Sequence, residues 1–140
     1  MMLREKQAEL IADLNLIENV QERLAVLSTY INRVALPEAE RVDELRVPGC
    51  VSRVWVKGEM KDGRCHFRCA AESPMVAGLV ALLCQLYTDS EPAEVVAVEP
   101  EIWVGCSLHK ALSPTRLNGL AAVRARMRDW AAASSEGKAA

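Results

Sequence analysis

From Ser73 to Leu86 the chain reads Ser-Pro-Met-Val-Ala-Gly-Leu-Val-Ala-Leu-Leu-Cys-Gln-Leu, a run whose apolar residues cover nearly every face of a helix. Ser73 is a good N-cap, and Pro74 suits a first helical turn because its missing N–H has no intrahelical partner there anyway. A helix that is apolar all round must be central and buried. The rest of the chain then has to supply the layers that cover it. The same run is too short to cross a bilayer, and Gly78, Cys84 and Gln85 interrupt it, so no membrane association is expected.

On the N-terminal side, Leu3, Leu10, Ile11 and Leu14 share one helical face. Asn19 with Glu22 three residues later marks a second helix start. Leu24, Leu27, Ile31 and Val34 then carry an amphipathic helix to about Ala35, where Leu36-Pro37 stops it. The charged stretch from Glu38 to Arg46 reads as a loop. The segments 51–57 and 65–70, flanking a turn-rich 58–63 that ends in Asp62-Gly63, read as a β-hairpin. After the central helix, a short helix is expected from Pro92, another around Trp103 to Leu112, and a last one capped by Ser113 with Pro114 in its first turn. On this last helix Leu120, Val123, Met127 and Trp130 form a stripe, with Arg124, Arg126 and Arg128 read as a solvated face. The reading is an α+β domain over residues 1–130: a small antiparallel sheet, made of the hairpin plus a third strand, with several helices on one face. Residues 131–140 are expected to form a flexible tail.

Composition narrows the function classes. Hydrophobic residues make up 51% and charged residues 26% of the 140, with a net charge of −2. That balance lacks the basic excess that phosphate binding demands, so no nucleic-acid partner is expected. The N-terminus alternates charges where an export signal needs an apolar core, and five cysteines at 50, 65, 69, 84 and 106 do not form an even disulfide framework. A reducing cytoplasm is the expected location.

The cysteine with the most suggestive setting is Cys50, in Val47-Pro48-Gly49-Cys50-Val51-Ser52-Arg53-Val54-Trp55. Proline fixes φ and glycine permits conformations closed to other residues, so this turn presents the next side chain on a shaped loop. A thiol so placed can react through its thiolate, whereas a core thiol is inert. Arg46 and Arg53 would lower its pKa if they point toward it. No acid–base pair, phosphate loop or cofactor motif accompanies it, so independent turnover of a small substrate is not expected.

Two separated stretches and a third between them carry a family resemblance. Gly49-Cys50-Val51-Ser52-Arg53-Val54-Trp55 resembles the Gly-Cys-x-x-x-Val-Trp motif of the SufE family, sulfur acceptors that assist cysteine desulfurases. Leu112-Ser113-Pro114-Thr115-Arg116-Leu117-Asn118-Gly119-Leu120 is similar to that family's Leu-Ser/Thr-Pro-Ser/Thr-Arg-Ser-x-Gly-Leu segment, and Val76-Ala77-Gly78-Leu79 to its buried Val-x-Gly-Leu helix. Order and spacing fit over roughly residues 5 to 130. The resemblance implies a fold of the SufE/IscU kind and Cys50 as the catalytic residue, accepting sulfane sulfur as a persulfide. It implies as donor a SufS- or CsdA-like desulfurase carrying pyridoxal phosphate, with no cofactor on this chain. An iron–sulfur scaffold such as SufBCD, or another acceptor, would take the sulfur on, and a homodimer is compatible with the family. Gly49, Ser52, Arg53, Trp55 and Arg116 are the implied loop and partner-contact residues. Ser52 resembles the SufE branch and Arg53 the related CsdE branch. The family's histidine one residue before the leucine of the Ser/Thr-Pro motif is here Ala111, with His109 two residues earlier.

Other readings stand beside this one. Cys50, Cys65, His66 and Cys69 are a possible metal or iron–sulfur ligand set, although Cys65 and His66, as strand neighbours, point to opposite faces. Cys65, Cys69 and Cys84 read as core, and Cys106 as core or a second redox thiol. Trp55, Trp103 and Trp130 read as packing residues, Trp55 as a buttress of the loop.

Overall fold

The computed structural model describes residues 2–135. Its helices are α1 (Leu3–Asn15), α2 (Val20–Val26), α3 (Ser28–Ile31), α4 (Pro74–Tyr87), α5 (Pro92–Ala97), α6 (Ile102–Gly105) and α7 (Pro114–Ser135), and its strands are β1 (Val54–Lys61) and β2 (Arg64–Ala71). Single 3₁₀ turns occupy Glu38–Glu40, Asp43–Leu45 and Leu108–Ala111. The central helix forms as expected: Ser73 Oγ accepts from the Val76 N–H, and residues 77–84 are all buried. Gly78 lets this helix approach the turn between α2 and α3, since a Cβ there would lie 3.2 Å from the Leu27 Cβ.

The hairpin differs from the expected one in its turn. Asp62 and Gly63 alone connect the strands, both with positive φ (52° and 77°), as the favoured two-residue hairpin turn requires. Gly58, expected in the turn, is instead inside β1, paired with Phe67. Its missing side chain makes room for Trp130, because a Cβ on Gly58 would fall 2.5 Å from the indole. Val54, Val56, Phe67 and Cys69 share one buried face against α4 and α7, which gives the expected one-sided helical cover. The other face holds Lys57, Glu59 and Arg68, joined with Glu40 in an ion-pair network.

The expected third strand shrinks to isolated bridges. Ala35 pairs with Cys69 and Ser90 with Cys65 along the outer side of β2. The N–H of Cys65 donates to Ser90 O at 2.7 Å, that of Phe67 to Thr88 Oγ1 at 3.1 Å, and that of Cys69 to Val34 O at 2.8 Å. Edge donors are thus satisfied without a continuous strand.

Helix breaks also differ from expectation. The helix expected from Asn19 to Ala35 divides after Val26, where Ser28 and Thr29 hydroxyls donate back to Ala25 O and Val26 O. Ser107, at φ 59°, interrupts the 103–112 stretch in the same way that any left-handed residue ends a helix. The last helix continues past residue 130: Ala131 is buried and residues 131–135 are helical, so these five do not form the expected tail. The remainder of that tail, 136–140, lies outside the described residues. No helix among the described residues is long and apolar enough to cross a membrane.

Candidate functional site

The loop carrying Cys50 has a closed base. Val47 N–H donates to Val54 O at 2.8 Å, and Arg46 bridges Trp55 across the same ladder, so residues 48–53 project from a fixed neck. Gly49 takes φ 88°, a left-handed turn that a residue with a Cβ disfavours, and this aims Cys50 back toward α7. Two further ties hold the neck to its surroundings. Arg126 of α7 donates to Glu44 O and to Arg46 O. Glu72 accepts from the Arg53 N–H at 3.3 Å, returns its own N–H to Arg53 O at 3.1 Å, and pairs with the Arg53 guanidinium at 3.8 Å.

Cys50 itself is half-buried, and its Sγ lies 3.5 Å from Gly119 O, to which the thiol donates. It borders a hollow of about 200 Å³. The walls are apolar, formed by Val54 of β1, Val76, Leu79 and Val80 of α4, and Leu120 and Val123 of α7. The rim is polar: Ser52 from the loop, and Ser113, Thr115 and Arg116 from the first turn of α7. Ser113 Oγ caps that turn by accepting the Arg116 N–H at 3.2 Å. Val51, next to the cysteine, is 85% exposed.

Burial pushes the Cys50 thiol above its ordinary pKa, and no neighbouring cation offsets it. The condition under which Arg46 or Arg53 would acidify the thiol, that they point toward it, is not met. Arg53 is committed to Glu72, and what Arg46 brings to α7 is its carbonyl. Of the expected contact residues, Ser52 and Arg116 meet at the hollow with Cys50, and Gly49 shapes the loop. Arg53 and Trp55 do not line it; Trp55 lies on the opposite face of β1 from Val54 and supports the neck through its bridge to Arg46. Sequence reasoning foresaw neither Gly119 O as the acceptor of the thiol nor Arg126 as a tie to the loop neck. Gly119 lies inside the quoted Ser-Pro-Thr-Arg segment, and that placement was its only signal.

The possible metal set is not brought together. Cys65 and Cys69 are buried on the sheet face beneath α4, His66 is on the other face, and Cys50 is on the loop. Among the described residues, no three Cys, His, Asp or Glu side chains converge on one point. Cys106 is fully buried beside Ile11 O at 3.9 Å, with its thiol also pushed up by burial, and His109 Nδ1 sits 3.2 Å from Trp103 O. Arg124, read as solvated, is only 5% exposed. Its Nη2 donates to Val96 O and Val98 O at the end of α5, its Nε contacts Glu99, and its guanidinium lies over the Tyr87 ring at 4.7 Å.

Comparison with known proteins identifies the family and the fold. Residues 8–131 match the family described as SufE, Fe-S metabolism associated domain. An uncharacterized SufE-like protein of Mycobacterium tuberculosis is 30% identical over 127 residues, covering 86% of this chain and 87% of the relative. A second SufE-like protein, from Synechocystis, is 33% identical over 82 residues, 59% of this chain and about half (52%) of the relative's length. SufE-like protein 1 of Arabidopsis thaliana, chloroplastic/mitochondrial, is 31% identical over 75% of this chain but only 30% of its own. The solution structure of a hypothetical protein from Thermus thermophilus superposes with a TM-score of 0.73 over 90% of this chain and 93% of that one, at 23% identity, and so shows the shared fold.

Proposed function

The chain belongs to the SufE family, whose domain is associated with iron–sulfur metabolism, and from that premise we propose that Cys50 accepts sulfane sulfur from the persulfide of a pyridoxal-phosphate-dependent cysteine desulfurase and passes it toward cluster assembly. The observation that carries the proposal is the half-buried Cys50 thiol on a tethered loop over an apolar hollow. Sulfur transfer of this kind needs no metal and no redox partner on the acceptor. The Cys50 thiolate attacks the outer sulfur of the donor persulfide, a new S–S bond forms, and the donor cysteine leaves as a thiolate.

The resting site is arranged to keep the sulfur quiet. A thiol raised in pKa by burial and donating to Gly119 O is a poor nucleophile at neutral pH. Docking of the donor turns the loop outward, exposing Cys50 to water and to the donor sulfur and returning its pKa toward the ordinary range. After transfer the loop folds back, and the apolar walls shield the persulfide from reductant and oxidant. Gly49 supplies the backbone freedom for that swing. Ser52, the exposed Val51 and Arg116 present the contact surface, Arg53 holds the far side of the loop through Glu72, and Trp55 steadies the neck.

The test is intact-protein mass spectrometry after incubation with a cysteine desulfurase and cysteine. The expected result is a reductant-labile gain of sulfur that disappears in Cys50→Ser and persists in Cys65→Ser. A gain lost in Cys65→Ser and retained in Cys50→Ser would overturn the assignment, as would stoichiometric zinc or iron in protein purified without chelators.

A further inference from the structure

The hollow under Cys50 is larger than one sulfur atom needs. At about 200 Å³ it exceeds the roughly 150 Å³ of an apolar protein cavity that stays dry and takes up benzene. Its walls are aliphatic, from Val54, Val76, Leu79, Val80, Leu120 and Val123, so they solvate a soft, uncharged guest and offer nothing to an ion. Apart from the Cys50 thiol and the Gly119 carbonyl it meets, the polar lining comes from Ser52 of the loop and from Ser113, Thr115 and Arg116 at the start of α7. A guest that fits this pattern is uncharged along its length and anionic only at its far end.

Resting on the sulfur-acceptor reading above, we propose that the Cys50 hollow holds a short polysulfide chain, so that one molecule carries two or more sulfane sulfurs. Inner sulfur atoms of such a chain are neutral and polarizable and lie along the aliphatic walls. The terminal sulfur, ionised, reaches the rim beside Arg116. The chain grows without any oxidant. The Cys50 perthiolate attacks the outer sulfur of a second donor persulfide, an S–S bond forms between them, and the S–S bond of the donor breaks. The electron pair leaves with the donor cysteine as a thiolate, and the proton of the attacked sulfur passes to water at the rim, which leaves the new chain end ionised. Each transferred sulfur remains at the sulfane level, so electrons balance within the exchange.

The experiment loads the full chain with a cysteine desulfurase and excess cysteine, blocks it with iodoacetamide, and weighs the intact protein. Wild type is expected to show adducts of two and three sulfur atoms that reductant removes and that Cys50→Ser lacks. Filling the hollow from its half-buried wall with Val76→Phe, or from its exposed rim with Thr115→Phe, is expected to lower the fraction of loaded molecules carrying two or more sulfurs about tenfold, through steric exclusion. The Thr115 variant changes an exposed position and tests the idea if the Val76 variant fails to fold. Loading on Cys50 that stops at one sulfur would overturn the polysulfide proposal and leave the acceptor reading standing. Multiple sulfurs in the filled variants at the wild-type fraction would overturn the role of the hollow. An absence of any adduct on Cys50 would overturn the acceptor reading and this proposal with it.

Discussion

Toward its C-terminal end α7 sets the Trp130 indole on Gly58, where an added Cβ would fall 2.5 Å from the ring, and places it against Phe67 with 5.4 Å between ring centroids in an edge-on arrangement. Near its N-terminal end the same helix leaves a hollow beside Cys50, and a Cβ on Gly119 would stop at an ordinary 3.7 Å from the sulfur. One end is packed to the limit of contact and the other is left open. The difference teaches that the helix is a lever with a fixed end: tight packing on the hairpin holds its register, which allows the other end to keep an unfilled space without collapsing into it.

Substitutions at the two ends should therefore behave as opposites. Trp130→Ala should have the largest effect, a loss of about 3 kcal/mol in urea unfolding, because it removes the ring that fills the space over Gly58. A loss under about 1 kcal/mol would mean that the fixed end is not fixed. Gly58→Ala should follow at about 2 kcal/mol, through overpacking against the same ring. At the open end the same change reverses sign: Gly119→Ala should raise stability by about 1 kcal/mol, since it replaces a helical glycine where nothing blocks a methyl group. Its neighbour Cys50 should then react more slowly with iodoacetamide, and destabilisation there would erase the contrast.

The smallest effect expected is in the pH dependence of Cys50 alkylation. Burial favours the neutral thiol, so the folded pKa lies above the ordinary value of about 8.5. The sign follows directly: the unfolded chain gives up this proton first as pH rises. The thiol's contribution to stability is thus present below the unfolded pKa and is lost as pH climbs through the folded one. Alkylation should keep accelerating at a pH where free cysteine has levelled off. A midpoint below the ordinary value would reveal a cation or dipole at the open end and break the comparison from that side.

Much of this architecture was legible because it rests on local chemistry. Ser73-Pro74 starts the central helix, Asn19 caps α2 through the N–H groups of Gln21 and Glu22, and Pro48-Gly49 shapes the Cys50 loop. What escaped depends on distant neighbours. Gly58 looks like a turn residue until Trp130, far along the chain, is laid against it. Arg124 looks solvated by its charge, yet it stands four residues after Leu120 and three before Met127, on the buried stripe, where α5 offers it carbonyls. Its position on the helix was the available signal, and side-chain type alone misled. The third strand failed for a related reason: isolated bridges and a threonine hydroxyl satisfy the β2 edge, and no periodicity announces them. At the site, Cys50, Ser52 and Arg116 could be named from motifs, but the hollow between them is a property of three elements packed together.

The neck of the Cys50 loop also sets a length. While Val47 N–H stays bonded to Val54 O, Cys50 is three residues from its anchor, and an extended chain spans at most about 3.6 Å per residue. Its Cα can therefore stand no more than about 11 Å from that of Val47. With that neck intact the sulfur has a short leash, so a donor sulfur recessed more deeply than this must be carried outward on an arm of its own.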